Sequence, residues 1–219
     1  MIEFYKIHSN NQFIKDFSDK LQNLLNQHQR ILWIVSGGSN ITNEVAIMSK
    51  VSNKDSARLE ILLSDERFGP SDYPASNYNL LLQAGFNPKQ AKFENILTLA
   101  DIEKANSYYS ELFKAKIQNT DYIIAELGIG SDSHIAGILP SSTAANSKEL
   151  SCYYEGPDYQ RITLTFNALS KIDQVMIYSE GKDKEEVINN LLAKENRDQT
   201  IFPSEIVYKI KSVSIYNKQ

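Results

Sequence analysis

The chain has 219 residues, 42% of them hydrophobic and 23% charged, with a formal net charge of −4. This length and balance suit one domain over residues 1–219, and they argue against a nucleic-acid partner because the basic residues never gather into a run. The opening Met-Ile-Glu-Phe-Tyr-Lys lacks an apolar signal region, no apolar run nears a membrane span, and the lone Cys152 offers no intramolecular disulfide or zinc site, so a cytoplasmic protein without membrane contact is expected.

In chain order, Phe13, Ile14, Phe17, Leu21, Leu24, Leu25 and His28 recur at intervals of one, three and four, which predicts a helix that Ser9 or Asn10 caps. Residues 30–35, Arg-Ile-Leu-Trp-Ile-Val, read as a strand covered on both faces. A helix follows over 41–51, a second buried strand over 59–63, and a short helix over 76–84 that Gly85 closes. A long amphipathic helix is predicted over 101–117, strands over 122–127, 161–166 and 174–179, and a last helix over 184–192. The alternation predicts an α/β fold: a three-layer, Rossmann-like, mostly parallel sheet flanked by helices.

In such sheets ligands bind beyond the carboxyl ends of the strands, so the residues just after each strand are the candidates. Ser36-Gly37-Gly38-Ser39 follows the first and opens a helix, where small residues let backbone N–H groups face an anion. Taken alone it is equally a tight structural turn, for it lacks both the Gly-x-Gly-x-x-Gly and the Gly-Lys-Ser/Thr patterns. Asp65-Glu66-Arg67 follows the second strand, either as site residues or as a solvated turn with an internal ion pair. Gly128-Ile129-Gly130-Ser131-Asp132-Ser133-His134 follows the third, and there the aspartate stands two residues from a side chain that exchanges protons near neutral pH. His8 and His28 have no such company and read as structural. Arg161 and Lys182, at or near the ends of the last two strands, are candidate cations that on their own read as surface charges.

Taken together, SGGS at 36–39, SDER at 64–67, SNYNLL at 76–81, GIGSDSHIAGILP at 128–140, RITLTFNAL at 161–169 and GKDK at 181–184 resemble, in order, the 6-phosphogluconolactonases, which are related to the glucosamine-6-phosphate deaminases. The resemblance implies hydrolysis of 6-phospho-D-glucono-1,5-lactone to 6-phosphogluconate, with no metal and no organic cofactor; a monomer is favoured. It makes His134 the general base with Asp132 beside it and puts Arg67 at the lactone end. Ser36, Gly37, Gly38 and Ser39, with Arg161 and Lys182, would hold the phosphate, and Asp65 and Glu66 complete the substrate-binding set. The alternatives are a deaminase-type enzyme or a sugar-phosphate-binding relative without turnover. Deaminases carry a glutamate five residues after the histidine, where this chain has Leu139. The chain departs from the family with Ser133 for Gly, Asn40-Ile41 for Thr-Pro and Asn167 for Pro. If residue 133 needs φ > 0, a serine there costs about 1 kcal/mol.

Overall fold

A computed structural model describes residues 2–195 and 197–218. The chain opens with β1 (Ile2–Ile7), α1 (Asn10–Gln27), β2 (Ile31–Val35), α2 (Ile41–Lys50), α3 (Asn53–Ser56), β3 (Leu59–Leu63), β4 (Asp65–Arg67), α4 (Asn77–Gln83) and β5 (Lys92–Phe93). It continues with α5 (Ile102–Gln118), β6 (Tyr122–Leu127), α6 (Thr143–Asn146), β7 (Ser151–Glu155), β8 (Gln160–Leu164), α7 (Phe166–Leu169), β9 (Gln174–Glu180), α8 (Glu185–Ala193) and β10 (Ser212–Lys218).

Seven of these strands form one sheet in the order β1-β10-β9-β6-β2-β3-β5, and every pairing in it is parallel. Side chains alternate across a strand, so a sheet covered on both faces must be apolar on both. Strand β2 shows this directly: Leu32 and Ile34 enter one apolar cluster, Ile31, Trp33 and Val35 the other, and all five are fully buried. Phe13, Phe17, Leu21 and Leu25 of α1, with Ile47 of α2 and Leu81 of α4, cover the Trp33 face. Tyr109 and Phe113 of α5, with Ile188 and Leu191 of α8, cover the other. The three layers are therefore helix, sheet, helix. No described helix is long and apolar enough to cross a membrane.

Three further strands form a small separate sheet in the order β4-β8-β7, antiparallel throughout. The strand expected over 161–166 thus exists over Gln160–Leu164, but outside the parallel sheet, and its neighbour β7 was not expected at all. Strands β1 and β10 were likewise unread, although Phe4 of the edge strand β1 pairs with Ile215 of β10, and Ile215 with Ile177 of β9. At α1 the cap is Ser9, whose hydroxyl accepts from the Asn11 N–H at 3.2 Å.

Candidate active site

Because β2, β3, β6 and β9 run parallel, their carboxyl ends lie along one edge, and the small sheet brings β4 and β8 to the same edge. A cleft of about 370 Å³ opens there, lined by Ser36, Gly37, Gly38, Ser39, Asp65, Arg67, His134 and Arg161 among others. Three of the residues predicted for the site, Glu66, Asp132 and Lys182, do not line it.

Asp132 is instead bonded to its neighbour: its Oδ1 lies 2.6 Å from His134 Nδ1 and accepts the His134 backbone N–H at 3.1 Å. The hydrogen bond to the imidazole is the chief reason the Asp132 carboxyl is held below its ordinary range. An ionised aspartate at Nδ1 keeps the ring proton there, which leaves Nε2 as the acceptor. Glycine at 130 is what permits this pair, since a Cβ there would lie 2.1 Å from His134 Nδ1 and 2.5 Å from Asp132 Oδ1. Ser133 does adopt φ 74°, the conformation that favours glycine. Its hydroxyl lies 2.5 Å from Ser204 Oγ, and its carbonyl accepts the Ser204 N–H at 2.9 Å. A buried hydrogen bond contributes on the order of 1 kcal/mol, enough to offset the strain of that φ.

The 36–39 loop is only partly turned toward the cleft. The N–H groups of Ser36 and Gly37 point inward and donate to the buried Glu44 carboxylate, at 2.6 and 3.1 Å. Burial pushes the Glu44 pKa up to about 7, against these donors. Gly38 and Ser39 are exposed at the cleft mouth, just before the first turn of α2, so the part of the loop open to the cleft is its second half. Gly37, at φ 70°, packs so closely on Asn77 that a Cβ would lie 2.9 Å from Asn77 Cγ.

Part of the lining is cationic. Arg67 and Arg161 face each other directly in the β4–β8 register, and like charges so placed repel unless an anion is meant to lie between them. The Tyr159 ring lies 4.9 Å from the Arg67 guanidinium and 5.4 Å from that of Arg161. Arg161 Nη2 is bonded to Asp158 Oδ1 at 2.6 Å. Asp65 lines the cleft beneath them and accepts from Ser64 Oγ at 2.8 Å. Burial raises its pKa, and the nearby Arg161, His134 and Arg67 lower it.

Two of the predicted substrate contacts need correcting. Glu66 is fully buried away from the cleft, where it accepts the N–H groups of Asn77 at 2.6 Å and Tyr78 at 3.0 Å and the Ser76 hydroxyl at 2.9 Å. It caps α4 and so fixes Asn77 against Gly37. Lys182 is exposed outside the cleft, whereas Lys184 lines it. After Gly181, at φ 114°, the chain makes one 3-10 turn over Lys182–Lys184 before α8 begins, and that turn brings the second lysine to the wall. Leu139 also lines the cleft, at the position where deaminases carry their glutamate. Among the described residues, no cluster of three or more His, Cys, Asp or Glu could hold a metal ion.

Known proteins share both this sequence and this architecture. The chain is 27% identical over 179 residues to the 6-phosphogluconolactonase of Thermotoga maritima, covering 78% of this chain and 79% of that one. It is 29% identical over 176 residues to the 6-phosphogluconolactonase of Borreliella burgdorferi, covering 74% and 73%. The crystal structure of the Thermotoga enzyme superposes with a TM-score of 0.83 at 23% identity, over all of both chains. That of a 6-phosphogluconolactonase from Shewanella baltica gives 0.84 at 21%, covering 100% of this chain and 98% of that one. At such identities the superpositions speak for the fold alone, and a monomeric glucosamine-6-phosphate deaminase shares it too, with a TM-score of 0.79. The model of the glucosamine-6-phosphate isomerase/6-phosphogluconolactonase family matches residues 8–215, so the chain belongs to that family.

Proposed function

We propose that the protein hydrolyses 6-phospho-D-glucono-1,5-lactone to 6-phosphogluconate, the lactonase step of the oxidative pentose phosphate pathway. The observation that carries this reading is His134, paired with Asp132, lining one cleft with a pair of arginines, and with a leucine where a deaminase needs an acid. In the proposed reaction His134 Nε2 takes a proton from water as the oxygen attacks the lactone carbonyl. The tetrahedral oxyanion is stabilised by the Arg67 guanidinium. The bond from the carbonyl carbon to the ring oxygen then breaks, and the ring oxygen leaves with the proton from His134, giving a carboxylic acid that ionises and a free hydroxyl. Gly38, Ser39, Arg161 and Lys184 are the proposed phosphate contacts, their charge supplying locally what the net charge of −4 lacks. One chain supplies all these residues, which supports activity as a monomer, and the cytoplasm is the compartment proposed for it.

The amino-sugar reading is weaker because Leu139 cannot move a proton. The test is lactone hydrolysis by the purified, EDTA-treated protein with the spontaneous rate subtracted. Turnover of the phosphorylated lactone, with no ammonia released from glucosamine 6-phosphate, is expected. No rate above background, or activity that returns only with an added divalent ion, would overturn the proposal.

A further inference from the structure

The hairpin that carries Arg161 also carries a carboxylate that engages it. Strands β7 and β8 are joined by the four residues Gly156-Pro157-Asp158-Tyr159, and the turn closes with the Gly156 N–H donating to the Tyr159 carbonyl at 2.8 Å. From its tip Asp158 reaches back to Arg161, with Oδ1 2.6 Å from Nη2, and both side chains line the cleft. The two partners are unequal: the Arg161 side chain is 12% exposed, that of Asp158 50%. The arginine is held by its surroundings, while the aspartate can turn into solvent.

We propose that Asp158 is a specificity-determining residue, an internal competitor for the Arg161 guanidinium that restricts the cleft to anions strong enough to displace it, phosphate dianions rather than monoanionic carboxylates. This rests on reading the cleft as a sugar-phosphate site.

Whether Asp158 competes with ligand or merely aims Arg161 is decided by what else holds the guanidinium. Tyr159 stacks against both arginines, and Gly156 packs so tightly on Arg161 that a Cβ would lie 3.1 Å from its Nε. Those contacts fix Arg161 without Asp158. A monocarboxylate ligand would offer the arginine the same charge that Asp158 already offers, and would in addition lose its translational freedom on binding, so it gains nothing by exchange. A phosphate dianion brings twice the charge and three acceptor oxygens, which reach Arg161 as a fork and leave an oxygen for Lys184 or the 38–39 amides. Only the second exchange is favourable.

The experiment is calorimetric titration of inorganic phosphate and, separately, of gluconate into the wild type, Asp158→Asn and Asp158→Ser proteins. Both variants should bind phosphate about three- to tenfold more tightly than wild type, and gluconate binding should become measurable where the wild type shows none. Weaker or unchanged phosphate binding in both variants would overturn the proposal, the first by making Asp158 a positioning group for Arg161. Lactone turnover is measured in parallel: a wild type that fails to hydrolyse lactone yet shows the phosphate shift would sink the lactonase reading and leave the competitor in place.

Discussion

At Gly130 a single hydrogen in place of a methyl group decides whether the His134–Asp132 pair can form. The side chains of His134 and Asp132 close over its Cα, leaving a Cβ nowhere to go without pushing the imidazole off its carboxylate. Gly130→Ala should therefore fold, because the strain falls on exposed side chains at the rim, yet lose about 10²-fold or more in kcat through a displaced base. Circular dichroism paired with lactone kinetics checks it, and a folded variant of near-normal kcat would show that the pairing is dispensable. The companion prediction is His134→Asn, which keeps a polar side chain but accepts no proton. It should lower kcat by about 10²–10⁴-fold with phosphate affinity intact. A His134→Asn enzyme with wild-type kcat would pass the role of base to Asp65, the remaining buried carboxyl on the cleft wall.

Among the elements, those legible in the sequence were the ones whose local pattern states their surroundings. Strands β2, β3 and β6 are continuous apolar runs because helices cover both faces, and the polar loops after them could be assigned to one edge for that reason alone. Strand β1 was not legible because it is an edge strand with Glu3, Tyr5 and Lys6 partly or wholly exposed, and β10 because its serines and Asn217 interrupt the run. The pairing of β8 with β4 is a long-range choice that no local pattern encodes, so the opposition of Arg67 and Arg161 could not be foreseen. The lysine was misplaced by two residues for a smaller reason: the geometry after a strand depends on whether the chain enters its helix at once or through a 3-10 turn. The two lysines make this testable at the level of the element. Lys184→Ala should raise KM for phosphorylated lactone roughly tenfold, as expected for loss of a charge-assisted contact, and leave the slow turnover of unphosphorylated gluconolactone alone. Lys182→Ala, on the outer side of the same turn, should change neither; the reverse ranking would mean that the turn opens toward the cleft on the other register.

The whole molecule carries an electrostatic cost beneath the 36–39 loop, and it contributes, with the buried Glu66 and Asp65, to how stability responds to pH. Glu126, next to last in β6, is fully buried, and among the described residues neither of its oxygens finds a hydrogen-bond partner. Burial first, then the charge of Glu44, pushes its pKa well above the ordinary value. Glu44 is itself raised from 4.5 to about 7 by burial, but it has the loop N–H groups to favour its anion. Both carboxyls therefore keep their protons to higher pH in the folded protein than in the unfolded chain. The sign follows from proton counting. Above about pH 4.5 the unfolded chain releases protons that these carboxyls retain in the folded protein, so stability falls as pH rises toward their raised pKa values, by about 1.4 kcal/mol per pH unit for each proton retained. Glu126→Gln removes one of these protons from the count while keeping the shape of the side chain, and it relieves Glu44 of its negative neighbour. Urea unfolding from about pH 5 to about pH 8 should show the wild type losing stability across the range. The variant should lose less and be the more stable protein at the alkaline end, with Glu44 still holding the loop and lactone kinetics unchanged. Parallel stability curves for the two proteins would mean that Glu126 is ionised and solvated in the folded state, and that the proton lies elsewhere.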